Sequence, residues 1–321
     1  MAYNTYISRS DAAALIPEEV TAELLTNVTH QSAVMQLGHK LQPMARSQRR
    51  MPVMSALATA YFLAGETSLK QTTEVNWENK YVDAEELAVI VPIPEAVLDD
   101  TDYDVWAEIR PSIEEAFGKA IDAAVLYGTN IPASWTTNLG AAGLQAGCNA
   151  ASHQISNAAY TDLYESILGE TAAAVAGLYG LVEQDGYMVT GNIAHMTMRG
   201  KLRNVRDSDG GLIFKREGMQ TGTSYQLDGT PVYFPLHGGI SSTYWIFAGM
   251  WNHLVYAMRQ DVTYKILDQA VLQDATGTIT MNLAQQDMVA LRAVMRVGFA
   301  LPHPITRMDS GTGYPFAVLT A

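Results

Sequence analysis

Apolar positions recur at steps of three and four along residues 101–128, where Trp106, Ile109, Ile113, Phe117, Ala120, Ile121 and Ala124 form one stripe. This spacing predicts a single long helix. Thr101 or Asp102 suits its N-cap, and Asp104, Glu108, Glu114 and Glu115 load the early turns with the sign that the helix dipole favours. Gly128 falls where a left-handed C-cap belongs. Pro111 interrupts the run, because it removes a backbone donor and crowds the preceding turn. A bend is expected there, or a short helix abutting a longer one.

The period changes to two on the N-terminal side. Val75, Trp77, Asn79 and Tyr81 alternate, then Leu87, Val89, Val91 and Ile93, which reads as two strands. With the polar, Gly-containing tip AGETSLKQTTE at 64–74 they make a long two-stranded excursion without a core of its own. Such an excursion either folds onto its own domain or reaches a neighbouring subunit. Further upstream, residues 17–28 predict a helix whose stripe (Val20, Leu24, Leu25, Val28) is too narrow for an independent core, so this arm must lie on something else.

Downstream, residues 129–157 read as a Gly/Asn/Ser-rich linker. A second helix follows, with Leu163, Ile167, Ala174 and Leu178 inward and Asn157 or Thr161 as cap. Then come a strand at 187–190, a helix at 192–204, a turn at 207–211 and a strand at 212–214. A strand pair at 226–234 is broken by Asp228-Gly229, a strong hairpin pattern. Strands at 244–247, 254–258, 263–267 and 288–299 complete the body, the last ended by Pro302 and Pro304. Helices followed by strands predict an α+β architecture.

Charge and composition narrow the function. A net charge of -13 leaves an average surface that repels phosphate, and no Lys/Arg run is long enough to build a basic nucleic-acid face. Cys148 is the single cysteine, which excludes an intrachain disulfide and a thiolate metal cluster and suits a reducing compartment. The N-terminus lacks the pattern of a secretory signal, and the apolar run 51–65 is too short for a membrane helix and carries Ser55 and Thr59. A soluble intracellular product, with no membrane partner, is expected.

Catalytic patterns are missing. The histidines at 30, 39, 153, 195, 237, 253 and 303 never fall at metal-ligand spacing and read as surface or packed side chains. The Asp207–Gly211 run lacks the later acidic ligand of a calcium loop, and Gly238-Gly239-Ile240-Ser241-Ser242 is not a nucleophile elbow. No phosphate-binding or dinucleotide loop is present. Hence no catalytic residue, cofactor or metal is expected. The 16 Tyr, 5 Trp and 15 Met favour a structural or assembly role, since such residues are enriched at protein interfaces.

In order along the chain, several segments look familiar. LIPEEVTAELLTNVTHQSAVMQLG at 15–38 is similar to the N-terminal arm of the HK97-fold major capsid proteins of tailed double-stranded DNA bacteriophages. Residues 60–135 resemble that family's E-loop running into its spine helix, with Gly65-Glu66 at the loop turn, Pro94-Glu95 and Leu98-Asp99-Asp100 before the helix, and 116–128 at its end. LRNVRDSDGGLIF at 202–214, LDGTPVYF at 227–234 and WIFAGMWNHLVYAM at 245–258 are similar to the A-domain. The resemblance implies an N-arm at 1–50, an E-loop at 51–92, a P-domain at 93–137 plus 279–321, and an A-domain at 138–278. It implies hexamers and pentamers of this chain tiling an icosahedral virion shell around double-stranded DNA, assembled in the host bacterial cytoplasm. A separate scaffolding protein, or none, is implied, and a portal and decoration proteins are candidate further partners. Because the arm motif begins at residue 15, a fused scaffold is not expected. An encapsulin-type nanocompartment enclosing enzyme cargo is the alternative with the same fold.

Within this reading, Phe62, Glu66, Lys70, Trp77 and Tyr81 are the candidate inter-subunit contacts of the E-loop, and Pro111 marks the candidate bend of the spine helix. Some family members join an E-loop lysine covalently to a neighbour's asparagine. Lys70 and Lys80, with Asn282 and Asp287, supply the ingredients here. Yet Lys70 lies among Ser68, Gln71, Thr72 and Thr73, and Lys80 between Glu78 and Asp83, surroundings that favour the ammonium over the nucleophilic amine. No cross-link is expected.

Overall fold

The computed structural model describes residues 32–63, 69–101, 104–160, 162–170, 175–205, 226–274, 276–305, 308 and 313–321. The predicted 17–28 helix, the 64–68 part of the loop tip, the 207–211 turn and the 212–214 strand lie outside them. In chain order, the first elements are α1 (Ala33–Leu37), β1 (His39–Lys40), β2 (Gln48–Met54), β3 (Trp77–Asp83), β4 (Glu85–Pro94), α2 (Glu95–Asp100) and α3 (Val105–Tyr127). Next come α4 (Ala133–Leu139), α5 (Leu144–Ala150), β5 (Gln154–Ser156), α6 (Leu163–Leu168), β6 (Gly169–Glu170), β7 (Val175–Ala176), α7 (Leu178–Gln184), β8 (Gly191–Ala194) and α8 (Met196–Asn204). The chain closes with β9 (Gln226–Leu227), β10 (Thr230–Tyr233), β11 (Tyr244–Gly249), β12 (Val255–Leu267), β13 (Val271–Gln273), β14 (Ile279–Asn282), β15 (Met288–Ala300) and β16 (Phe316–Thr320).

The long helix is α3, 23 residues and therefore about 35 Å. Its N-cap is Asp104 rather than Thr101 or Asp102: the carboxylate accepts from the backbone N–H of Trp106 and Ala107 at 3.1 and 3.2 Å. The earlier acidic run instead forms the separate helix α2. Gly128 closes α3 at φ 71°, a backbone that glycine adopts without a Cβ penalty. The helix continues through Pro111 without a break into two. Ile113, Phe117, Ile121 and Val125, four residues apart, are buried on one face. They share a core with Leu291, Ala293, Met295, Val297 and Phe299, every second residue of β15. At about 1.5–3 kcal/mol per buried large apolar side chain, this stripe is what makes α3 stable.

Two sheets carry the body. The first runs β1-β12-β15-β4, with β15 antiparallel to both long neighbours and β4 at the edge. The second runs β5-β16-β11-β8-β10-β9. Its residues alternate between two cores: Phe247, Phe316 and Val318 join the α3 core, whereas Ile246, Ala248, Ala317 and Leu319 face α6, α7 and α8. Asp228 and Gly229, at φ 47° and 74°, make the tight turn predicted between β9 and β10.

Several expectations change. The two strand-period runs do not pair with each other. β3 pairs with β2, which alternation in the sequence had not singled out, and β4 pairs with β15. The reading of 129–157 as linker misses α4 and α5, which bury Trp135, Leu139, Leu144 and Cys148. The helix predicted through Leu163–Leu178 is two short helices. Gly169 at φ 104° ends α6, and β6 pairs antiparallel with β7, so the chain doubles back where a helix was expected and a Cβ on Gly177 would lie 2.2 Å from the Gly169 nitrogen. The strand expected at 187–190 begins instead at Gly191, and the helix expected from Asn192 begins at Met196.

Candidate assembly surface

The β2–β3 hairpin projects from a stiff root to an exposed end. Seven residue pairs hold it, from Gln48 opposite Asp83 to Met54 opposite Trp77. At the root, Val82 and Met51 pack with Met44, Val255, Ala257 and Ala300 in a small separate core. The Asp83 carbonyl accepts from Trp135 Nε1 at 3.1 Å, and its carboxylate accepts from Asn138 Nδ2 at 3.0 Å, so α4 braces the same point. Beyond β2 and β3 the two arms stay in register: Ser55 N–H donates to Asn76, Thr59 N–H to Thr73 Oγ1, and the Tyr61 hydroxyl meets the Gln71 backbone.

Nearly all of β3 is exposed on both faces, Val82 excepted. Trp77 is 66% exposed, Tyr81 40% and Leu69 90%, and Phe62 is fully exposed. These are large apolar groups on a ribbon with no core beneath it. Trp77 and Tyr81 lie on one strand, and Phe62 and Lys70 flank the Tyr61–Gln71 contact at the distal end. Glu66 lies outside the described residues. Lys80 is exposed and its ammonium lies 3.3 Å from the Glu78 carboxylate. Pro111 sits on the exposed side of α3. Between α3 and the edge strand β4, an apolar recess is lined by Val89, Val91, Val105, Ile109 and Ile113.

Sequence reasoning missed a buried polar cluster beside the α3 stripe. Asp122 is completely buried and accepts hydrogen bonds from Ser32, Ala33, Val34 and His237. The one available clue was an Asp among Gly118, Ile121, Val125 and Leu126, at core spacing.

Among the described residues no group of three or more His, Cys, Asp or Glu could hold a metal, and no helix is long and apolar enough to cross a membrane. A long helix on a mainly antiparallel sheet, a second, mixed sheet with a core on each face, and a projecting ribbon define an HK97-like shell subunit, a structural protein. Residues 12–305 match the phage capsid family, and the chain belongs to that family. The major capsid protein of Staphylococcus phage 80alpha is 29% identical over 283 residues, 87% of this chain and 79% of that one. Among solved structures, one from Microbacterium phage Oxtober96 is similar at TM-score 0.82 and 31% identity, covering 98% of this chain and 99% of that one. One from Mycobacterium phage Adephagia follows at 0.80 and 30%, with 98% of each chain covered. As a capsid-family member the chain is a virion component and not an enzyme.

Proposed function

We propose that this chain is the major capsid subunit of a tailed phage, assembling as hexamers and pentamers into an icosahedral shell around double-stranded DNA in the host bacterial cytoplasm. The observation that carries the assembly step is the hairpin: its braced root and fully exposed apolar end make sense when a neighbour buries it. The occupant of the α3–β4 recess is then the hairpin of a second copy, apolar side chains entering an apolar recess. Contacts of this kind, in which one copy's hairpin meets a different surface of the next, close into rings when the rotation permits. In this reading the N-arm of 1–50 is best ended before β2, and the A-domain of 138–278 and the P-domain of 93–137 with 279–321 exchange two strands, β12 lying in the sheet of β15 and β16 in that of β11. The E-loop of 51–92 is best restricted to the 48–83 ribbon, since β4 pairs with β15. Phe62, Glu66, Lys70, Trp77 and Tyr81 are its contacts, and α3 bends at Pro111. A scaffolding protein, a portal and decoration proteins are further partners. Net charge -13 suits a container that must pack and release a polyanion without holding it. Purified particles should protect double-stranded DNA from nuclease; particles that instead hold a protein cargo and no DNA would overturn the reading in favour of a nanocompartment.

A further inference from the structure

Asp122 lies on α3 with no exposed surface, and both of its oxygens are saturated by donors from elsewhere. Oδ1 accepts from the Ser32 hydroxyl and from Val34 N–H at 3.2 Å. Oδ2 accepts from Ala33 N–H at 2.9 Å and from His237 Nε2 at 2.8 Å. The imidazole's other nitrogen, Nδ1, receives the Gly239 N–H at 3.0 Å. A backbone N–H can only donate, so Nδ1 accepts and Nε2 carries the proton: the ring is the neutral tautomer and acts as a polar pin rather than a counter-ion. The buried carboxylate is therefore balanced by four hydrogen bonds, two of them from the first backbone N–H groups of α1.

Three segments far apart in sequence meet at this one group. Ser32–Val34 is the root of the N-terminal segment, Asp122 belongs to the long helix, and His237–Gly239 belongs to the β10–β11 connection of the six-stranded sheet. None of the three can leave without stranding a buried acceptor or donor of the others, which is costly inside a protein. The geometry points to a latch: Asp122 couples the seating of the N-terminal root to the position of the 237–239 loop, so that release at one side loosens the other. The consequence for a shell, that the arm lets go when the A-domain shifts against the long helix, rests on the capsid reading. The coupling itself does not.

Amide hydrogen exchange on the full-length chain tests it, in shells or in dissociated subunits alike. His237→Ala should raise exchange at Ala33 and Val34 about tenfold, and Ser32→Ala should raise it at Gly239 by a similar factor. His237→Gln, whose amide can again donate to the carboxylate, should restore much of the protection at Ala33. In all three variants Leu291–Phe299 of β15 should stay as protected as in the wild type. Effects confined to each variant's own side, or a rise shared equally by β15, would overturn the latch. Ser32→Ala removes a single hydroxyl, so it still decides the matter where His237→Ala fails to fold. A chain that never forms shells could show the coupling and a shell-forming chain could lack it, so the two readings fail separately.

Discussion

At Gly298 of β15 an added Cβ would lie 2.5 Å from the Asp83 carbonyl oxygen and 2.8 Å from Val82 Cγ1. The hairpin root is thus pressed onto the sheet at a point where only hydrogen fits. Gly298→Ala should lower the unfolding free energy of the subunit by about 1–3 kcal/mol in denaturant titration, and an unchanged midpoint would mean that the root is loosely held. The lysines behave differently. Lys70 and Lys80 are exposed on the subunit, and Lys80 lies 3.3 Å from the Glu78 carboxylate. Denaturing gels of mature particles should show one band at 34.9 kDa. A ladder of oligomers would contradict this.

The elements divide by what decides them. α3 is legible because a 3.6-residue stripe, an acidic first turn and a terminal glycine all agree. The cap shifts to Asp104 because Glu95–Asp100 turns into its own short helix after Pro94. α4 and α5 escaped because seven-residue helices show too few repeats for a period to emerge, and their stability comes from burying Trp135 and Leu144. β2, with two arginines and a proline in QRRMPVM, hides its alternation, so β3 was given the wrong partner. Asp122 escaped because its donors come from residues about 90 and 115 positions away. Pro111, seventh in α3, leaves the Ala107 carbonyl without its intrahelical donor. Pro111→Ala should therefore raise the subunit's thermal stability, by up to about 3 kcal/mol. A lower melting temperature would show that the proline is accommodated without cost. Deleting 64–74 should leave a soluble, folded subunit that forms no shells, because none of the described residues between Met54 and Trp77 joins the three cores. Normal shells from the deletion would show that the loop end is dispensable.

Among the described residues, two cores flank the six-stranded sheet and a third small one fixes the hairpin root, while Phe62, Leu69 and Trp77 of the ribbon are left bare. In the proposed reading stability and assembly are separated: the cores set the first and the ribbon the second. Sedimentation of the full chain beside its Trp77→Ala variant tests this separation most directly. The wild type should sediment as closed particles on the order of tens of copies or more, whereas the variant, with an unchanged melting temperature, should remain in small oligomers, as loss of an aromatic anchor of about 2 kcal/mol per contact requires. A wild type that stays monomeric at every concentration, or a variant that builds the same particles, would contradict the account.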